Sequence, residues 1–182
     1  MKGNRARGVT NFIPFREVAV QSEILPLYRL ISYDGKAGAS SSFTRHPADH
    51  AFKYQQTNAH KPWANDRRRK FPHQIWFQFQ QKKILARIGF SSRRFHKQYL
   101  YQTPVNFDVI ASDDCENSEA KFQVLLSVKN AGFSGLDETK TWNIPFMSQN
   151  PFLCFGLKIH TTIITKDFAV LTNILMWEKR EW

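Results

Sequence analysis

The residues best equipped for chemistry lie in one short run. Arg93, Arg94, Phe95, His96, Lys97, Tyr99 and Tyr101 interleave cations with rings over nine positions. Aromatic faces stack on sugars or bases, while cations take phosphate or sulfate. Arg93, Arg94, His96, Lys97, Tyr99 and Tyr101 are therefore candidate ligand contacts. A set of rings packed into the rim of a barrel is the competing reading of the same residues. Upstream, the polar loop 46–66 carries Tyr54, His60 and Trp63, which join the candidate ligand-binding set. It also holds His46 and His50. The three histidines are spaced by four and ten residues with no cysteine near, which matches no zinc pattern, so they read as titratable surface groups. The run Asp66, Arg67, Arg68, Arg69, Lys70 reads either as a patch for a polyanion or as solvated charge guarding the strand that follows. Catalysis finds little support. General acid-base work needs paired carboxylates, or a His beside a nucleophile. Here Asp113, Asp114, Glu116 and Glu119 gather in one turn, and no Ser or Cys lies in a nucleophile motif. The expected protein is not an enzyme and has no cofactor.

The elements that must carry these residues read as strands. In 74–80, Ile75, Phe77 and Phe79 alternate with Gln74, Trp76, Gln78 and Gln80, a period of two. The segment 81–83 reads as a turn, and 84–90 as a second strand with Ile84, Ala86, Ile88 and Phe90 on one face. Later segments repeat the pattern at 104–111, 122–128, 142–146, 152–159 and 168–177, with extended β-branched residues at 161–165. Asp34-Gly35 and Gly38 make 32–38 turn-rich. Pro14 and Pro26 break the apolar stretch 12–30, so no long helix fits there. Val18 and Val20 suit a short strand instead. No internal repeat and no heptad pattern occur.

This ordered series resembles the discoidin family, also called the coagulation factor V/VIII type C domain. The residues that carry the resemblance are Ala39-Ser40-Ser41-Ser42, Trp63, Trp76-Phe77-Gln78-Phe79, the strand at 84–90, the strand at 104–114, Thr141-Trp142-Asn143-Ile144 and the strand at 152–159. The match runs over about residues 30–178. It implies an all-β, eight-stranded antiparallel jelly-roll β-sandwich of the galactose-binding-like type that binds ligands through loops at one end. Residues 1–22 are then a basic tail or extension, and 23–182 the sandwich. The resemblance also implies where a structural calcium would sit, and the residues disagree with it. Lys53 stands where an Asp would be, and Thr172 or Asn173 where a Glu would be, so no metal is expected. The spacing of fucose-binding relatives is absent. The implied function is a noncatalytic module recognising a glycan or anionic ligand. An intracellular protein-interaction or nucleic-acid-binding jelly roll is the alternative.

The global numbers fit one such domain. The chain has 182 residues, 42% hydrophobic and 14% aromatic, with 16 Phe; that suffices for one sizeable core. A net charge of +11 favours polyanionic partners such as sulfated glycans, nucleic acid or an anionic membrane face. A protein partner remains open, as does the oligomeric state. No apolar run is long enough to span a membrane, and no signal peptide is visible. Cys115 and Cys154 are both internal. A bond between them is left open without being implied, and Cys154 between apolar neighbours reads as a small buried hydrophobe. Unpaired internal cysteines and the absent leader lean towards an intracellular protein.

Overall fold

The structure is a computed structural model that describes residues 27–52, 62–92, 97–116, 121–164 and 167–179. Eleven strands follow in chain order: β1 (Tyr28–Leu30), β2 (Lys36–Ala39), β3 (Trp63–Ala64), β4 (His73–Ile84), β5 (Arg87–Ser91), β6 (Pro104–Ser112), β7 (Gln123–Val128), β8 (Thr139–Asn143), β9 (Pro151–Thr162), β10 (Val170–Leu171) and β11 (Ile174–Lys179). A single helical turn, α1 (Asp49–Phe52), precedes β3. Five strands form one sheet in the order β2-β4-β9-β6-β7, and four form the other in the order β1-β11-β5-β8. β3 and β10 make a separate two-stranded ribbon. Every pairing is antiparallel. The result is the expected jelly-roll sandwich, with the short β1 added at one edge.

The alternation in β4 does what its period requires. Ile75, Phe77 and Phe79 are buried, while Gln74, Trp76 and Gln78 lie on the other face, half-buried. The core is built of rings from both sheets. Phe107 of β6 meets Phe90 of β5 with centroids 5.2 Å apart and Trp142 of β8 at 5.0 Å, both edge to face. Phe77 meets Tyr33 at 5.0 Å, also edge to face. Such tilted pairs add to the burial of area. Gly156 of β9 pairs with Trp76 of β4. A Cβ there would lie 2.8 Å from the Trp76 Cα and closer still to the Ile75 carbonyl. Only glycine permits that approach.

Three expectations are corrected. The first concerns 81–90. Lys82 and Lys83 do not form a turn; β4 runs on to Ile84, with an irregularity between Gln78 and Lys83. The chain bends at Leu85-Ala86 and crosses to the other sheet. Leu85 and Ala86 are buried at that corner, where the Ala86 N–H donates to Trp177 and its carbonyl accepts from Ile144. Two lysines can stay in a strand because their heads reach water, and Lys82 also meets Asp113 at 2.7 Å. The second concerns 39–43. The strand ends at Ala39, and 40–42 is irregular. The third concerns the cysteines, which are bonded to each other across 39 positions of sequence. The register of β6 on β9 sets Ser112 opposite Cys154, so the turn after β6 returns Cys115 onto it. The intracellular reading loses its cysteine premise. The boundary between tail and sandwich at 22/23, and the short strand around Val18 and Val20, lie outside the described residues. No helix among the described residues is long and apolar enough to cross a membrane.

Candidate functional site

The strand registers define two ends. At one end lie the start of β4 (His73), the end of β9 (Thr162), the start of β6 (Pro104), the end of β5 (Ser91) and the start of β11 (Ile174). The described segments 40–52, 62–72, 97–103 and 167–173 adjoin that end. At the other end lie Tyr28 and Lys179, which pair with each other.

A buried amide holds the first end together. Asn65 has no exposed surface. Its Oδ1 accepts from the Ala169 N–H at 2.6 Å, and its Nδ2 donates to the Asp167 carbonyl at 2.8 Å and the Asp66 carbonyl at 2.9 Å. The same Nδ2 lies 2.8 Å from His73 Nε2. His73 Nε2 also lies 3.3 Å from the Asp167 carbonyl, so the imidazole closes the same cluster as the amide. Burial holds the His73 pKa below its usual value, outweighing the opposing Asp167 carbonyl and charge. The amide thus ties the segment after β3 to the segment before β10, which carries Phe168.

Between those segments is a cleft of about 120 Å³ lined by Phe43, His46, Pro62, Arg67, Phe168 and Val170, floored by Ala64. Phe43 is 43% exposed, and its ring stacks with that of His46, centroids 5.9 Å apart. His46 Nδ1 donates to the Pro62 carbonyl at 3.1 Å, which fixes the ring's orientation. The Arg67 guanidinium carbon lies 4.5 Å from the centroid of Phe168, within cation–π range. The basic run 67–70 therefore divides by role. Arg68 is held by Asp66, with Nε–Oδ1 3.1 Å and Nη2–Oδ2 2.9 Å; that hydrogen bonding keeps the Asp66 carboxyl below the usual carboxylate range. Arg67 is turned onto the cleft, and among the described residues no carboxylate pairs with it. Chemically, the cleft offers two ring faces, an oriented imidazole and a fork of guanidinium donors.

The residues singled out in sequence fare unequally. Trp63 is corrected. It is 0% exposed and its indole Nε1 donates to Ser42 Oγ at 3.1 Å; a large ring at the root of the loops packs inward and offers no face to a ligand. Tyr101 ends a 3-10 segment, Lys97–Gln102. It is half-buried, and its carbonyl accepts from the Ile164 N–H at 3.2 Å, so it sits on the same rim as Phe168. Lys97 and Tyr99 belong to that segment, but their side chains lie outside the described residues. So do Tyr54, His60, Arg93, Arg94 and His96, along with Lys53. Thr172, weighed as a replacement for a calcium ligand, donates to the carbonyls of Ser91 and Ser92 at 3.1 and 3.3 Å. Sequence reasoning missed Phe43 and Phe168 and left Arg67 undecided. Neither ring carries a signal in sequence: Phe43 follows the serine run 40–42, and Phe168 follows Lys166-Asp167. Carboxylates among the described residues are dispersed on separate partners: Asp66 with Arg68, Asp113 with Lys82, Glu138 with Lys140, Asp108 with His160.

The sequence matches no protein-family model and no curated protein. Solved structures do match. The family 32 carbohydrate-binding module of Clostridium perfringens NanJ, determined in complex with galactose, aligns with TM-score 0.64 and 13% identity over 83% of this chain and 99% of that one. Chitosan-binding module 1 of a chitosanase/glucanase from Paenibacillus sp. IK-5 aligns with TM-score 0.62 and 12% identity over 82% and 99%. The family 32 module of AlyQ, in complex with 4,5-unsaturated mannuronic acid, aligns with TM-score 0.58 and 10% identity over 80% and 97%. Some matched chains also contain a catalytic domain, as in a truncated AlyQ with its alginate lyase domain, of which this chain covers 34%. At these identities the likeness establishes the fold: the galactose-binding-like jelly roll that family 32 carbohydrate-binding modules use.

Proposed function

We propose that this chain is a noncatalytic, discoidin-like binding module that takes a sugar through the cleft formed by Phe43, His46, Arg67 and Phe168. The observation that carries this reading is the coincidence, at the loop end, of the exposed Phe43 ring and the half-buried Phe168 ring with an arginine fork and a fixed imidazole. The C–H face of a sugar ring packs on an aromatic face, and hydroxyl or carboxylate oxygens accept from guanidinium. A cleft of about 120 Å³ admits part of an oligosaccharide, such as one terminal ring. Neighbours of the same fold hold galactose, an N-acetylgalactosaminyl-galactose or an unsaturated uronic acid, which supports the ligand class. Arg93, Arg94, Lys97 and Tyr99, close to Tyr101 in sequence, are proposed as further contacts.

The test is calorimetric titration with galactose, glucosamine oligomers and uronate oligomers. Loss of an arginine contact or a ring contact costs about tenfold in affinity. Arg67→Ala and Phe168→Ala are each expected to weaken the preferred sugar by about that factor, with melting temperature unchanged. Unchanged affinity in both would remove the cleft. A triple Arg93→Ala, Arg94→Ala, Lys97→Ala variant measures the rim separately.

A further inference from the structure

We infer that the outer face of the four-stranded sheet is a second binding surface, built around Arg87, that takes the carboxylate of an acidic sugar within a polyuronate chain. This surface lies apart from the cleft, and either site can fail without the other.

The strand registers decide which side chains meet there. Ile88 and Phe90 of β5, and Ile174 and Met176 of β11, are buried in the core. The alternate residues therefore face outwards: Arg87 and Gly89 of β5, Leu175 and Trp177 of β11. Arg87 has Trp177 opposite it on one side and Asn143 of β8 on the other. Trp177 reaches over the sheet because Gly89 leaves room for it. A Cβ at Gly89 would come within 3.3 Å of the indole Cζ3 and 2.8 Å of the Thr141 methyl. Tyr28, Arg87 and Trp177 are half-buried, while Thr141 and Asn143 are exposed.

Arg87 is held in place without being neutralised. Its guanidinium carbon lies 4.0 Å from the centroid of the Tyr28 ring, well within cation–π range. Its Nε donates to Asn143 Oδ1 at 2.8 Å. Among the described residues, neither Nη atom makes a hydrogen bond and no carboxylate pairs with the guanidinium. Arg29 and Arg68 differ, each being matched to an acid, Glu178 and Asp66. A ring thus sets the plane of the Arg87 fork and an amide engages its Nε. Its two Nη atoms are left for an acceptor from outside, and a carboxylate fits such a fork in its own plane. The neighbours say what carries that carboxylate. The indole offers a face to the C–H side of a pyranose ring. Thr141 and the Asn143 amide nitrogen offer donors to hydroxyls. A uronate uses all three features; the side chain of an acidic peptide uses only the fork.

The experiment is calorimetric titration with oligogalacturonate of the full chain carrying Arg67→Ala and Phe168→Ala, which removes the cleft. It is run at about 0.5 M salt, where diffuse attraction to the net charge is screened. Binding is expected, and Arg87→Gln and Trp177→Ala are each expected to weaken it about tenfold. Arg87→Lys should lose about as much, because an ammonium keeps the charge but neither forks nor stacks. The carboxyl-reduced oligomer and polyglutamate should each bind at least about tenfold more weakly than oligogalacturonate. With the cleft intact, galactose titration should be unchanged by Arg87→Gln, so the two sites are read apart. Absence of oligogalacturonate binding in the cleft-less chain overturns the proposal. So does full affinity in Arg87→Lys, which would assign the binding to point charge. Equal affinity for polyglutamate would make the partner an acidic peptide and overturn it too. Should Arg87→Gln lower the melting temperature, the comparison with the carboxyl-reduced oligomer on the unaltered face decides alone.

Discussion

His73 shows how one side chain at the base of the loops couples their order to pH. It is buried and lies 2.8 Å from the Asn65 amide nitrogen. In the unfolded chain a histidine takes up its proton near pH 6.5, about the model-compound value. In the folded chain burial holds that pKa lower. Between the two values the unfolded state binds the extra proton, so stability falls as pH drops from about 7 through 6 and is insensitive to His73 above that range. Urea midpoints measured across this interval are expected to fall in the wild type and to fall less in His73→Gln. An equal fall in both would place the titration elsewhere. The same hub positions Phe168, so sugar affinity should weaken over the same interval.

At the scale of elements, the disulfide between Cys115 and Cys154 fastens the turn after β6 to β9, the middle strand of the five-stranded sheet. It closes a loop of 39 positions, for which chain-entropy arguments give roughly 4 kcal/mol. Cys154→Ser is expected to lower stability by an amount of that order, read as a shifted denaturant midpoint, and dithiothreitol should do the same to the wild type alone. A disulfide is also at home in an oxidising compartment. What the sequence disclosed follows from what is local. The alternation of Ile75, Phe77 and Phe79 marks β4, and the ordered series of strands marks the jelly roll. What it withheld depends on register. Cys115 and Cys154 meet because β6 lies on β9 with Ser112 opposite Cys154. Phe168 reaches Arg67 because Asn65 binds Asp167 and Ala169. Neither contact leaves a trace in spacing. Lys82 and Lys83 misled for a different reason: charge suggests a turn, yet lysine stems lie comfortably along a strand whose end reaches water.

For the molecule as a whole, the net charge of +11 is shared unequally between tasks. At the proposed cleft, ring stacking and a single guanidinium would hold the ligand, and such short contacts are weakly screened. Affinity for a neutral sugar is therefore expected to change less than about twofold between low salt and about 0.5 M salt, measured by titration. Retention on heparin should fall steeply over the same range, as diffuse polyanion attraction does. A sugar affinity that collapses with salt would show that charge, not the cleft, holds the ligand.

β4 runs the length of the sandwich, from His73 beneath the loops to Ile84 beside Phe146. Its 12 residues span roughly 40 Å at the usual rise of a strand. It therefore joins the loop end, where the proposed sugar cleft lies, to the opposite end of the sandwich. A sugar taken at the proposed cleft would sit about that distance from the end where Tyr28 pairs with Lys179, so the strand sets how far the module reaches.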